Sequence, residues 1–223
     1  MIHKKHFLVS IFCLLIALLM TNQLIAQEVS LKPYGIETGI IEYKYSGSEV
    51  GKGIMYFDEF GSRCAMNLDT KRGDEVNKGW VISHKEYQYI FDPAKPNDGL
   101  KMKNPIIESL MKMDKQDYDK VAEDLYSQMG MKKSANEKFL DKDCIAYKGD
   151  MGKILTWNGI LMLMDMNYGG MKSRQEVTSI KVNVPVDAKY FEIPKNIKFS
   201  EIPIFGIPGN EEEEDSGDED EEE

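Results

Sequence analysis

A short segment with a turn at its centre and apolar residues on both arms constrains this chain most strongly. The segment ILTWNGILMLMDMN spans residues 154–167 and contains Asn158-Gly159. Asn-Gly between apolar runs is a strong local signal for a two-residue β-hairpin turn, because both central residues need positive φ angles. The sequence therefore predicts a hairpin centred on these two residues.

Pairing outward from that turn predicts which residues of the two arms lie on the same side of the sheet. An antiparallel hairpin usually leaves one side in water, but here both sides are apolar. Either helices cover one side and a curled sheet covers the other, or an apolar binding surface is left open. On the predicted register, one side carries the pairs Trp157–Ile160 and Leu155–Met162, and the other carries Leu161 and the pair Ile154–Leu163.

Alternation of apolar and polar residues predicts further strands before and after a helical segment. The helical spacing is confined to residues 104–130, where Asn104-Pro105 can begin a helix and Gly130 can end one. Adjacent strands joined by short turns form antiparallel sheets. We therefore predict an α+β fold in which the helical insert covers one face of the sheet. The other predicted strands are 39–46, 54–59, 62–69, 79–83, 86–92, 141–150 and 173–186.

The two ends of the chain differ in composition from its middle. Residues 1–26 combine two lysines, an apolar run and a small residue, Ala26, in the pattern of a cleaved secretory signal peptide. The run is short for a membrane-spanning helix, so we expect a periplasmic or secreted protein with no transmembrane segment after cleavage. Residues 211–223 contain eleven acids, which predicts a disordered acidic tail. Residues 27–210 are predicted to form a single domain.

The acidic tail also accounts for the charge of the chain. The formal net charge is −10, and the eleven acids of the tail account for all of it, so the predicted domain is close to neutral. The domain has no basic cluster, which excludes nucleic acid as an expected partner. The tail could increase solubility, hold cations or meet a basic partner.

Two cysteines remain once the predicted signal peptide is removed, Cys64 and Cys144. In an oxidising compartment the two thiols could form a disulfide. They could equally remain separate buried thiols that act as small apolar residues. Sequence alone does not decide between these alternatives, because it does not place the two Cα atoms close together.

No arrangement of residues points to catalysis. His84 is the single histidine after the predicted signal peptide and has no neighbouring ligand at metal spacing. The segment GSEVGKG lacks the spacing of a phosphate-binding loop, and LDTKRGDE lacks the alternating oxygen ligands of a calcium loop. We predict a non-enzymatic protein with no metal or cofactor. A hydrolase that uses dispersed acidic residues is an alternative.

The order of the elements resembles a known family. The segments GIIEYKYSGSEVGKGIMYFDEFG, GWVISHKEYQYIFDP, DKDCIAYKGD, KILTWNGILM and EVTSIKVNVPVDAKYFEIP follow one another within residues 35–200. In this order they resemble an exported bacterial family, common in Bacteroidetes and related to the periplasmic lipoprotein-carrier (LolA/LolB-like) superfamily. The resemblance implies a strongly curved antiparallel sheet, an incomplete β-barrel, whose apolar cavity takes acyl chains. It assigns no individual functional residue.

Together, the apolar hairpin and the resemblance predict a binding protein. We expect a monomer that holds a lipid, another apolar small molecule or a hydrophobic peptide in the half-barrel, with the helical insert as a lid. Burial of apolar surface would drive binding. An interaction module with a filled core, which binds a cell-envelope protein, is the alternative. The predicted lining residues are Trp157, Leu155, Ile160 and Met162, with Trp80 and Tyr89 behind them.

Overall fold

The computed structural model describes residues 32–84, 86–104, 107 and 118–202. All of these residues belong to one compact unit of the chain. The predicted signal peptide, the predicted acidic tail and residues 105–106 and 108–117 of the helical insert lie outside them. Among the described helices, none has the length and apolar character needed to cross a membrane.

The described residues form twelve strands and one α-helix, with short 3-10 turns at Glu59–Gly61 and Ala188–Phe191. In chain order, the elements are β1 (Gly39–Gly47), β2 (Val50–Asp58), β3 (Arg63–Arg72), β4 (Glu75–His84), β5 (Tyr87–Phe91), β6 (Gly99–Lys103), α1 (Tyr118–Gln128), β7 (Lys132–Phe139), β8 (Lys142–Gly149), β9 (Gly152–Trp157), β10 (Ile160–Tyr168), β11 (Met171–Val182) and β12 (Phe199–Glu201).

All twelve strands belong to one sheet. Their order is β12-β6-β5-β4-β3-β2-β1-β11-β10-β9-β8-β7. Neighbouring strands are antiparallel, except that the short β12 pairs with β6 in parallel. The sheet is curved and does not close, because its edge strands β12 and β7 are not paired with each other. The predicted α+β fold with a curved antiparallel sheet, an incomplete β-barrel, is therefore confirmed.

The hairpin turn forms as predicted, but the register beyond it shifts. Asn158 and Gly159 have φ angles of 49° and 77°, the positive values that a tight two-residue turn needs. Trp157 pairs with Ile160, as predicted. Beyond that point a β-bulge inserts one extra residue into β10, so Leu155 pairs with Leu163 and not with Met162. The predicted pairing of Ile154 with Leu163 is wrong for the same reason, since Ile154 pairs with Met164.

Three strands have no counterpart in the sequence prediction. β12 has three residues, which is too short for alternation to identify a strand. β6 directly follows the segment PAKPNDG, whose prolines and turn residues predict a break in the sheet. β7 is an edge strand with the sequence KKSANEKF, and its polar residues on both faces remove the alternation signal. Lysine-rich edges are a common protection against pairing with other chains.

The helix α1 ends where the sequence predicted. Gly130 has a φ angle of 74°, and its backbone N–H donates to the Ser127 carbonyl at 2.8 Å. The Met131 N–H donates to the Tyr126 carbonyl at 2.9 Å, which completes a Schellman motif. Before α1, the Ile107 N–H donates to the Asn104 side chain at 3.4 Å, and Ile107 is helical and buried.

Apolar side chains pack in three clusters, which we name by their positions. The hairpin core contains Ile36, Ile41, Tyr43, Met55, Phe57, Cys144, Ala146, Leu155, Ile160, Met162, Leu163 and Val177. The C-terminal cluster contains Ala65, Ile82, Phe91, Phe191 and Ile197. The helix-side cluster contains Met131, Tyr147, Ile154 and Met166, with Tyr126, Met129, Ile145, Met151, Leu161 and Met164 packed against them. The hairpin β9–β10 supplies residues to the first and third clusters, so it is covered by both.

Candidate functional site

The helix-side cluster is unusually rich in methionine. Five of its ten residues are methionines, and they come from the end of α1, the β8–β9 turn and β10. Methionine is unbranched and polarizable, so a layer of methionines can change shape around a guest molecule at low cost. This layer lies between the one described α-helix and the sheet. The methionines are Met129, Met131, Met151, Met164 and Met166.

Two aromatic rings hold the helix on this layer. The rings of Tyr126 in α1 and Tyr147 in β8 lie 4.8 Å apart between centroids, at an angle of 56°. Burial raises the pKa of the Tyr126 phenol to about 12, and the neighbouring Tyr147 adds to the shift. Tyr126 is therefore neutral at physiological pH. The Schellman motif joins Tyr126 to Met131, so the C-terminal end of the helix is the anchored end.

A surface cleft reaches the methionine layer from one end of the sheet. Its volume is about 340 Å³. Met151 and Met166 belong to its wall and also to the helix-side cluster. Lys153 and Lys172 line the same cleft, together with Asp150 and Asp165. An apolar chain with a polar head could therefore find apolar contacts and charged groups of both signs within one cleft.

A row of charged residues runs across the sheet beside the cleft. Glu137 accepts hydrogen bonds from Lys148 at 2.6 Å and from Lys153 at 2.8 Å. These two bonds lower the pKa of the Glu137 carboxyl to about 2. On the neighbouring strands β10 and β11, Arg174 contacts Asp165 at 2.5 Å. The alternating charges cross-link β7 to β9 and β10 to β11 at the cleft end of the sheet.

The four principal lining residues predicted from sequence do come together, but in the hairpin core. Leu155, Ile160 and Met162 are at most 1% exposed. Trp157 is half-buried against them, with the Lys142 ammonium 4.7 Å from its ring centre. The two clefts measured in the described part of the chain have other linings. A ligand-lining role for these four residues stays a prediction.

Trp80 and Tyr89 lie apart from that group, in contact with the C-terminal cluster. Trp80 is part of a stack with Tyr56 and Tyr190, and the two tyrosine rings are 3.9 Å apart and nearly parallel. Tyr89 packs edge-on against Phe199 at 5.3 Å. The structure therefore does not place these two aromatics behind the hairpin residues.

Cys64 and Cys144 both pack in the hairpin core, and both are free thiols in the structure. Burial raises the pKa of the Cys64 thiol to about 12. His84 lies at the end of β4, the strand-end position expected from sequence. Within the described ranges, no three His, Cys, Asp or Glu side chains form a group that could hold a metal ion.

Sequence reasoning did not identify the methionine layer as a site. A signal was present, because the chain contains 14 methionines and three of them alternate with other residues in LMLMDM, residues 161–166. The missing information was the β-bulge in β10, since it decides which of these methionines enter the helix-side cluster.

The fold and the cleft define a class of protein: an unclosed antiparallel β half-barrel with an apolar layer beneath a helix. No family model matches the sequence. No match appears among curated protein sequences either.

Several solved structures are similar in fold. An uncharacterised conserved protein from Thermus thermophilus has a TM-score of 0.47 at 6% identity, covering 75% of this chain and 92% of that chain. PNGF-II has a TM-score of 0.40 at 13% identity, covering 75% of this chain but 31% of that chain. A LolA superfamily protein from Nitrosomonas europaea has a TM-score of 0.26 at 9% identity, covering 72% and 92%. Likenesses this remote carry no argument about function.

Proposed function

We propose that the protein is an exported, non-enzymatic binding protein that holds an apolar ligand, such as a lipid acyl chain, in the methionine layer beneath α1. The observation that carries the proposal is the methionine layer itself, which lies under a helix and is reached by a cleft. Displacing the helix would let the ligand replace the contacts that α1 makes with the sheet.

The anchoring of the helix supports a hinged lid. Its C-terminal end is tied to the sheet through the Schellman motif and the contact between Tyr126 and Tyr147. An ion pair between Glu123 and Lys133, at 3.8 Å, is exposed to solvent and contributes little. In this proposal the helix moves about its C-terminal end when a ligand enters, while its anchor stays in place.

The cleft supports a ligand with one polar end. An acyl chain that enters beside Met151 and Met166 leaves its head group near Lys153 and Lys172. Each buried methylene of the chain is worth about 0.8 kcal/mol. A polar head group there would lie among charges of both signs, since Asp150 and Asp165 also line the cleft.

The test is ligand uptake by a variant in which the cleft is filled. Met151→Trp adds volume at the wall of the cleft, and Met171→Trp makes the same change at an exposed residue outside that wall. We expect Met151→Trp to weaken binding of a fluorescent fatty acid about tenfold or more, because it removes space for at least two methylenes. Met171→Trp should bind as the parent does.

Native mass spectrometry after gentle purification is a second, independent test of the same proposal. Co-purified lipid in the parent protein, depleted in Met151→Trp, is the expected result. A parent protein that carries no ligand and takes up no fatty acid would sink the proposal. If Trp157→Ala abolishes uptake while Met151→Trp does not, the ligand lies in the hairpin core, as the sequence predicted.

An interaction module for a cell-envelope protein is the second candidate. The filled hairpin core favours it, because Leu155, Ile160 and Met162 are already fully covered by protein. Pull-downs from envelope extracts, with and without residues 211–223, test this candidate. Capture of one partner that depends on the tail, together with absence of bound lipid, would favour it over the carrier.

A further inference from the structure

One buried hydroxyl in strand β9, that of Thr156, has no hydrogen-bond partner among the residues that the structure describes. Thr70, Asn104 and Thr156 are buried polar residues, at 2%, 6% and 6% exposure. The Thr70 hydroxyl donates to the Glu49 carboxylate, and the Asn104 side chain accepts from the Ile107 N–H at 3.4 Å. Buried polar side chains nearly always have a partner, so the Thr156 hydroxyl calls for an explanation.

Thr156 lies on the helix-side face of the hairpin. Its cross-strand neighbours are Ile145 on β8 and Leu161 on β10, and both of them pack against the helix-side cluster. Ile154, two residues earlier on the same strand, belongs to that cluster. Cross-strand partners, and residues two apart along a strand, lie on the same face of a sheet. The hydroxyl therefore lies among the apolar side chains of the proposed ligand site.

The hydroxyl lies deep in this site, away from the mouth of the cleft. Gly152 and Met166 are paired at the start of β9, and both line the cleft. The pair Ile154–Met164 comes next, and Thr156 lies beyond it. From Gly152 to Thr156 the strand advances by about 13 Å at the usual rise per residue. A ligand whose head group stays at the mouth would therefore bring the middle of its chain to Thr156.

A buried hydroxyl without a partner destabilises the protein that has no ligand. The group has lost its hydrogen bonds to water, and the apolar neighbours Ile145 and Leu161 offer no side-chain donor or acceptor in return. Valine, which has a methyl group in place of the hydroxyl, would avoid this cost at the same position. A ligand group that forms a hydrogen bond with Thr156 would remove the cost while it is bound.

We propose that the methionine layer is selective for acyl chains that carry a hydroxyl group near the middle of the chain, and that Thr156 forms a hydrogen bond with that group. This inference rests on the proposed function, because it uses the same site and the same direction of entry. A threonine hydroxyl both donates and accepts, which matches the donor and acceptor character of an alcohol. A hydroxyl beside the carboxyl group of the ligand would stay at the mouth of the cleft and would not reach Thr156.

The hydrogen bond discriminates between chains because the rest of the site is apolar. A plain acyl chain leaves the Thr156 hydroxyl as it already is without ligand, so it gains nothing from this residue. A chain with a mid-chain hydroxyl gains one hydrogen bond, which offsets the removal of its own hydroxyl from water. An apolar site without the threonine hydroxyl would instead bind the hydroxylated chain less tightly than the plain one.

The test is competition of three acids of equal length against a fluorescent fatty acid. The acids are stearic acid, a hydroxystearic acid with its hydroxyl at mid-chain, and a hydroxystearic acid with its hydroxyl beside the carboxyl group. We expect the parent to bind the mid-chain hydroxy acid about 2- to 10-fold more tightly than stearic acid, and to show no such preference for the other hydroxy acid. Thr156→Val should reverse the order, so that the mid-chain hydroxy acid binds about tenfold or more weakly than stearic acid.

Thr70→Val is the matched control, because it removes a hydroxyl that is also buried but has Glu49 as its partner. It should keep the preference of the parent and unfold at lower urea concentration, whereas Thr156→Val should unfold at the same or a higher concentration than the parent. A parent with no preference for the mid-chain hydroxy acid, a preference that survives in Thr156→Val, or a clear loss of stability in that variant would overturn the inference. Binding of stearic acid would still support the proposed function in each of these cases, while a parent that binds none of the three acids would overturn both.

Discussion

At the scale of single residues, the turn at Asn158-Gly159 is a tertiary contact as well as a hairpin turn. The Gly35 N–H donates to the Asn158 carbonyl at 3.0 Å. A Cβ atom added to Gly159 would lie 2.3 Å from the Pro33 carbonyl oxygen. The segment before β1 therefore packs directly on the turn, and this close approach is possible only with glycine.

Gly159→Ala tests how much this close approach matters. Gly73, in the β3–β4 turn, is the matched control because its φ is 60° and a Cβ there would meet nothing within 4 Å. We expect Gly73→Ala to cost about 1–2 kcal/mol from backbone strain alone. Gly159→Ala should cost about 2–5 kcal/mol, because overpacking against Pro33 adds to the same strain. Urea denaturation of both variants gives the two free energies of unfolding, and equal losses would mean that residues 33–35 simply move away.

At the scale of elements, charge pairs hold the strands together where the sheet lacks apolar cover. β7 is a polar edge strand, and Glu137 joins it to both β8 and β9 through Lys148 and Lys153. Because the folded state holds the pKa of Glu137 at about 2, below the usual range for glutamate, folding is linked to its ionised form. The stabilisation is present above the unfolded-state pKa and is lost as the pH falls towards 2.

Glu137→Gln tests this linkage. At pH 6 the variant should unfold at lower urea concentration than the parent, since two ammonium groups lose their carboxylate. The difference should shrink as the pH falls from about 4.5 to about 2, because the parent carboxyl then becomes protonated. Glu123→Gln, in the exposed pair with Lys133, is the control and should show little difference at any pH. A gap between Glu137→Gln and the parent that does not depend on pH would contradict the assignment.

At the scale of the whole molecule, the hairpin core joins distant parts of the chain into one packed unit. It takes residues from β1, β2, β8, β9, β10 and β11, and from Ile36 before the first strand. Cys64 in β3 and Cys144 in β8 meet the same core from separate strands. Both thiols are free in the structure, and burial is the main cause that raises the pKa of each.

We expect both thiols to remain unpaired and slow to react in the native protein. A raised pKa leaves little thiolate at neutral pH, and thiolate is the reactive form. Thiol titration of protein that lacks residues 1–26, and with them Cys13, should give two reactive groups after denaturation without reductant, and very slow reaction before it. An intact mass that shows the loss of two hydrogens in protein from an oxidising compartment would instead establish the disulfide between Cys64 and Cys144.

Much of the fold could be predicted because its signals are local. Alternation placed β1, β3, β5 and β11, and Gly130 marked the end of α1. Short or polar strands such as β6, β7 and β12 escaped, because partners elsewhere in the sheet stabilise them rather than their own pattern. The sequence prediction placed the candidate site on the hairpin residues Trp157, Leu155, Ile160 and Met162, because a local pattern does not show which distant residues cover them. The register shifts at Met162, and no residue in the segment predicts that bulge from the sequence alone.

Local signals in the amino-acid sequence were enough to define the Asn-Gly turn, the strand-rich α+β class and the need for cover on both sides of the hairpin. These follow from backbone preferences and from the cost of leaving apolar side chains in water, which act within a few residues. Only the tertiary structure shows which elements pack on each side of the hairpin. The hairpin core is filled by β1, β2 and β11, whereas the helix-side cluster is closed by methionines and one helix. That difference depends on distances between elements far apart in the chain, and it separates a packed core from a layer that could open for a ligand.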